Sequence, residues 1–245
     1  MTALYREQPP RASLSRWVAC LWSLTTAEGL ADYGVPPDGC LDIVYWRGKG
    51  LRAIGAMTVE QRFEFSANSF AAGIRFLPGM ASPFLRTSAS ELTDGFAPLE
   101  DLWGASGRNV GAQLDDATSP DDCMALLEGA IQQPPTSPNA IQRAIEEIVA
   151  AHGDVDLEFI ADQANLSSRQ FRRRCSEESG LTPKHLCRVL RFCRARGLAA
   201  GSTPPNWSAI AAETGYFDQA HLIRDFREFT LRTPVSVFSN THFGA

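Results

Sequence analysis

The chain has 245 residues, enough for one large domain or two ordinary ones. Apolar residues make up 44% of it and charged residues 21%, the balance of a globular protein. No run of about 18 apolar residues marks a membrane span and the N-terminus lacks the apolar core of a signal peptide, so the cytoplasm is the expected location.

Residues 1–97 read as β-rich. The runs at 17–24, 41–46, 51–59, 62–65 and 70–77 are short, rich in aromatic and β-branched residues, and separated by Gly, Pro, Asp or Asn. Pro36-Pro37-Asp38-Gly39 is a turn in which proline sets φ and glycine admits positive φ; Leu77-Pro78-Gly79-Met80 is another. No helix alternates with these runs, which predicts a mainly antiparallel, partly rolled sheet. Helical stretches follow at 88–95 and 99–104. A clearer helix covers about 120–131, with Ser119 as its cap, Pro120 in its first turn, and Asp121 and Asp122 at the positive end of its dipole. The first half is therefore an α+β domain.

Gln132 to Asn139 (QQPPTSPN) cannot continue a helix and favours extended chain. The expected division is a first domain at 1–132, a linker at 133–138, and an all-α domain at 139–245. Ile141, Ile145, Ile148 and Val149 make the packing stripe of a helix over 139–151. The next stretch, Leu157 to Arg173, reads as two short helices about a tight turn. Leu157, Ile160, Ala161 and Ala164 line one face of the first helix, the turn falls at Asn165, and Ser167 caps the second. On that second helix Phe171 and Cys175 take the packed side, while Arg169, Arg172, Arg173 and Ser176 take the other. A long helix at about 182–200 turns Leu186, Val189, Leu190 and Cys193 inward and spreads Arg188, Arg191, Arg194 and Arg196 over its remaining surface.

The helix pair then repeats. Trp207, Ile210, Ala211 and Thr214 match the first stripe, Gly215 stands for Asn165, and Asp218 for Ser167. Leu222 and Phe226 are the packed side; Ala220, Ile223, Arg224 and Arg227 are the exposed set, with Gln219 and His221 beside them. Each unit ends in a Thr-Pro step, Thr182-Pro183 and Thr233-Pro234. Periodicity and punctuation repeated together identify an internal duplication.

The formal net charge of −5 looks wrong for a protein that meets nucleic acid, but it is unevenly spread. Residues 1–136 hold 10 Lys and Arg against 16 Asp and Glu, and residues 137–245 hold 13 against 12. From Arg169 to Arg196, nine basic residues are opposed only by Glu177 and Glu178. Local field governs phosphate contact, not the sum.

Residues from about 139 to 238 resemble the DNA-binding domain of the AraC/XylS family of transcription regulators. The carrying stretches are FIADQANLSSRQFRRRCSEESGLTP and IAAETGYFDQAHLIRDFREFTLRTP. The resemblance implies seven helices and two helix-turn-helix units, with one recognition helix per unit entering successive major-groove turns. It makes duplex DNA the partner, with RNA polymerase alongside. Asn165 and Cys175 depart from the family's usual glycine and phenylalanine, so a looser first unit is expected. Arg169, Arg172 and Arg173 lie where a recognition helix reaches base edges, and arginine on guanine is the commonest specific contact. Gln219, Ala220, Ile223 and Arg224 occupy the equivalent surface, where Ala220 and Ile223 suit thymine methyls. Arg174, Lys184, Arg188 and Arg227 are assigned to phosphates. His221 is a base contact or a brace of its helix.

The first half is similar to a sensor domain joined to this DNA-binding type, through PPDGCLD at 36–42, Gly55-Ala-Met-Thr58, and Gly73-Ile-Arg-Phe76 with Pro78-Gly79. Such a domain binds a small-molecule effector or forms a homodimer. An alternative makes this half an enzyme, or a thiol or metal sensor using Cys20 and Cys40. All four histidines (His152, His185, His221, His242) follow the linker, and no phosphate loop or clustered cysteines occur. No catalytic residue, metal ligand or cofactor is therefore assigned. Asp38, Asp42, Arg75 and Glu91 are read as turn and cap chemistry. Trp22, Tyr33, Tyr45, Trp46, Phe63, Phe76 and Phe84 could line an aromatic pocket.

Overall fold

The computed structural model describes residues 3–27, 31–131, 135–202 and 204–239. Gln132–Pro134 of the expected linker, and His242, lie outside the described residues. The first half builds eight strands: β1 (Ala3–Gln8), β2 (Val18–Thr26), β3 (Ala31–Val35), β4 (Leu41–Trp46), β5 (Gly50–Ile54), β6 (Gln61–Phe65), β7 (Phe70–Phe76) and β8 (Phe96–Pro98). Six of them form one sheet in the order β1-β2-β7-β4-β5-β8, and β3 pairs with β6 in a second; every pairing is antiparallel. Helices α1 (Ser82–Leu85), α2 (Leu99–Trp103), α3 (Ala105–Asp116) and α4 (Pro120–Ala130) follow.

The expected sheet is present, and its two faces do different work. One face carries Leu41, Ile43, Tyr45, Ala72, Ile74 and Phe76 into the main core, where α4 covers β2 and β7 with Cys123, Met124 and Leu127. On the other face Leu24, Val44, Trp46 and Ala71 meet Phe65 of the small sheet, with Tyr5, Trp22, Tyr33 and Phe63 around them. The aromatic residues expected to line one pocket divide: Trp22, Tyr33, Trp46 and Phe63 gather on this second face, whereas Tyr45, Phe76 and Phe84 lie in the main core.

Three strands (β1, β3 and β8) and two helices (α1 and α3) were not foreseen. β1 is an exposed edge with little apolar content, and β8 is three residues long. α3 has glycine at 107 and 111, poor helix material. It persists because Gly107 lets it approach α2 closely; a Cβ there would stand 2.6 Å from the Leu99 carbonyl oxygen. The run expected at 51–59 ends as a strand at Ile54, because Gly55 turns the chain against residue 92.

The second half contains α5 (Ala140–Ala150), α6 (Leu157–Gln163), α7 (Ser168–Ser179), α8 (Pro183–Ala200), α9 (Trp207–Glu213), α10 (Gln219–Thr230) and α11 (Pro234–Ser239), the seven helices the resemblance implies. Its core is continuous with that of the first half. Gly79 packs so closely on Ile145 of α5 that a Cβ would approach to 2.7 Å, and Gly39 abuts Leu186 of α8. Arg16 pairs with Glu146 at 3.0 Å, and Glu178 accepts from Ser82, Asn139 and Gln142. Among the described residues no helix is long and apolar enough to cross a membrane.

Candidate nucleic-acid interface

The two helix-turn-helix units enter their turns alike. Asn165 sits at φ 54° and Gly215 at φ 74°, so the Asn performs the left-handed turn the glycine performs. Leu166 N–H returns to Ala161 O and Tyr216 N–H to Ala211 O, each at 3.0 Å. The recognition helices are then capped by side chains. Ser167 and Gln170 form a capping box on α7, and Asp218 accepts from His221 N–H at 2.6 Å on α10. At the far ends Ser179 and Thr230 repeat one local network, each hydroxyl donating to the carbonyl four residues back.

One difference separates the copies. The spacing between units is 50 residues through Asn165 and Gly215 but 51 from the caps onward, so the second turn holds one extra residue. That residue is Phe217, 93% exposed at the start of α10. Sequence reading passed over it; the slipped spacing was the signal.

Packing obeys the predicted faces. Phe171 and Cys175 are buried under α7, as are Leu222 and Phe226 under α10. Cys175 is fully buried, and burial pushes its thiol up to about 12. Arg169, Arg172, Arg173 and Arg174 are exposed on α7, as are Gln219, Ala220, Arg224 and Arg227 on α10. Arg173 pairs with Glu177 at 2.7 Å, and Ser208 donates to Gln219 at 2.8 Å. Arg169, Arg172, Arg174, Arg224 and Arg227 make no ion pair among the described residues. Lys184 is likewise exposed.

Two assignments change. Arg188, read as a phosphate contact, is turned inward against α10: it meets Asp225 at 2.8 Å and Glu228 at 2.5 Å and lies over the Phe229 ring at 5.1 Å. The Glu228 hydrogen bonds, and Asp225 after burial is overcome, hold its guanidinium firmly charged. Arg191 donates to Gly215 O, and Arg194 approaches Glu213 at 3.8 Å, so α8 spends these arginines on the second unit rather than on free surface. Ile223 is half-buried against the core, and His221 meets Tyr216 edge-on at 5.1 Å.

Residues 160–240 match the family described as a helix-turn-helix domain. They form an AraC-type helix-turn-helix domain. The chain thus carries the DNA-binding part of a transcription regulator. Residues 6–98 match a domain of unknown function, DUF6597. Among solved structures, the C-terminal domain of AraT, a response regulator from Geobacillus stearothermophilus, is 22% identical over 45% of this chain and 92% of its own, with a TM-score of 0.39. An apo variant of ToxT from Vibrio cholerae is 11% identical over 98% of this chain and 97% of its own, with a TM-score of 0.47. ToxT bound to an unsaturated fatty acid is 11% identical over 100% and 98%, with a TM-score of 0.45. No curated protein matches the sequence.

Beside the AraC-type domain, the first half gathers one polar cluster. Arg75 meets Asp38 at 3.3 Å and Asp42 at 3.2 Å, and Trp22 Nε1–H donates to Asp42 at 2.7 Å. Burial raises the Asp42 pKa against the pull of Arg75. Glu91 accepts from Thr87, the local chemistry read for it. Burial lifts the Cys20 thiol to about 12 and Cys40 well above the usual thiol range, which disfavours the thiolate a sensor needs. Among the described residues no group of three or more His, Cys, Asp or Glu could hold a metal ion.

Proposed function

We propose that this protein is a one-component transcription regulator whose recognition helices, α7 and α10, enter successive major-groove turns of one duplex. The observation that carries the reading is the repeated construction of the two units, each turning arginines outward from its second helix, from the first turns of α7 and from the middle of α10. Arg169, Arg172, Arg173, Gln219, Ala220 and Arg224 take base edges, with the exposed part of Ile223 against a thymine methyl. Arg174, Arg227 and Lys184 take phosphates, and His221 braces α10. The first half controls that binding, through a small-molecule effector or a homodimer, and RNA polymerase reads the outcome.

Selection of bound duplexes from a random library by the full chain tests this. One enriched sequence with two half-sites is expected. Arg172→Ala with Arg224→Ala should abolish its specific recognition while leaving the thermal transition in place. Survival of specific binding in the double variant would overturn the assignment. A thermal-shift screen of the full chain with small metabolites, beside sedimentation of the free protein, separates effector control from dimer control.

A further inference from the structure

The motif Gly55-Ala-Met-Thr58 has no part in the sheet, yet it is tightly built. A Cβ on Gly55 would lie 1.8 Å from the Leu92 carbonyl oxygen. Gly55 N–H donates to Gly95 O and Asp94 N–H donates to Ala56 O, both at 3.0 Å. The Asp94 carboxylate accepts from the Thr58 N–H and the Thr58 hydroxyl, each at 2.6 Å. Asp94 reaches them from a left-handed backbone, φ 56°. Loops 55–60 and 86–95 are thereby welded into one body.

That body touches the ends of both recognition helices. The last carbonyls of a helix lack internal partners and accept from whatever donor stands over them. Ser88 donates to Glu177 O at 3.2 Å and Thr93 to Gly180 O at 2.7 Å, over the end of α7. Gly180 is required there: a Cβ would meet the Thr93 hydroxyl at 3.1 Å and Ala89 O at 3.2 Å. At the end of α10, Glu60 N–H donates to Phe229 O at 2.7 Å. The Glu60 carboxylate, 5% exposed, pairs with Arg232 at 2.6 Å just beyond the helix. The first half thus supplies cap donors for both recognition helices from one rigid piece.

We propose that loops 55–60 and 86–95 are a clamp that sets the relative placement of α7 and α10, with Asp94, Thr58, Glu60, Ser88 and Thr93 as its positioning residues. The proposal rests, for its consequence on DNA, on the reading that both helices occupy one duplex. Each recognition helix has 12 residues, roughly 18 Å of length, and is gripped at the end away from its base-reading N-terminus. A pivot of about 10° at the clamp moves the reading end by about 3 Å, the length of a hydrogen bond. A rigid clamp therefore makes binding intolerant of altered half-site spacing, and a strained one can switch both helices together.

Asp94→Asn tests this in the full chain, because Asp94 touches neither helix. Amide hydrogen exchange should speed several-fold at 176–181 and at 227–232 together, with 157–163 and 207–213 unchanged. A response at one end alone, or at neither, overturns the clamp. On the duplex selected by the wild-type chain, inserting one base pair between half-sites should weaken wild-type binding at least tenfold and the Asp94→Asn protein less than threefold. Equal spacing penalties would also overturn it. Should Asp94→Asn not fold, Thr58→Val removes one bond of the weld and is read the same way. A library that yields no enriched duplex sinks the DNA reading, and hydrogen exchange then still decides the clamp.

Discussion

Arg188→Ala should unfold the protein more readily than any substitution of an exposed arginine. Asp225 is 2% exposed, and its Oδ2 has no hydrogen-bond partner in the described structure, so Arg188 is the charge that compensates it. Removing one partner of a buried ion pair costs about 3–5 kcal/mol. The low end applies because Arg188 itself is 22% exposed. Its second bond, to Glu228, adds under about 1 kcal/mol, since that carboxylate is more than half exposed. The contact with the Phe229 ring adds about 0.5 kcal/mol. The expected loss is about 3–4 kcal/mol, a fall in Tm of roughly 6–16 °C for a chain of this size. Urea unfolding followed by circular dichroism, beside Arg174→Ala, measures it. Asp225→Asn in the Arg188→Ala background should recover part of the loss. The reasoning fails if Arg188→Ala loses no more than Arg174→Ala. Binding gives a second reading: the slope of log K against log salt should drop by about one for Arg174→Ala and stay unchanged for folded Arg188→Ala.

The remaining expectations are simpler. Burial and the neighbouring Arg188 lower the His185 pKa, against weaker opposing pulls from Glu228, Asp94 and Asp225. A lowered folded pKa means stability present above 6.5 and lost as pH falls from there toward the folded value, so Tm should decline below pH 6.5 and decline less in His185→Phe. Phe217→Ala should leave the urea midpoint unchanged, because the ring buries almost nothing, but weaken duplex binding by about tenfold, worth about 1.4 kcal/mol, through lost apolar contact at the groove; equal affinity would remove Phe217 from the interface. Gly55→Ala should lose more than about 2 kcal/mol in urea, for want of room beside Leu92 O, whereas Gly48→Ala, which opens onto free space, should lose about 1 kcal/mol from its positive φ alone. Parity between the two would refute the close packing argued for the 55–60 loop.

What could be read without coordinates was whatever depends on near neighbours in the chain. Helix stripes, caps such as Ser119, Ser167 and Asp218, and the turns at Asn165 and Gly215 are set within a few residues, and each stands where the periodicity put it. The duplication and the outward arginines of α7 and α10 followed from the same local rules. Elements held by distant partners could not be read this way. β1 is a strand only because β2 lies beside it, and α3 is a helix only because Gly107 fits against α2. Charge followed the same division: a run of arginines on α8 looked free, yet Asp225, Glu228 and Glu213 from α9 and α10 claim two of them. A linker rich in proline suggested two separable bodies, but glycines at 39, 79 and 180 let the halves close onto one core. Local chemistry determined which surfaces can face DNA; long-range packing alone decided how those surfaces are held with respect to each other, because that depends on contacts between residues far apart in the chain.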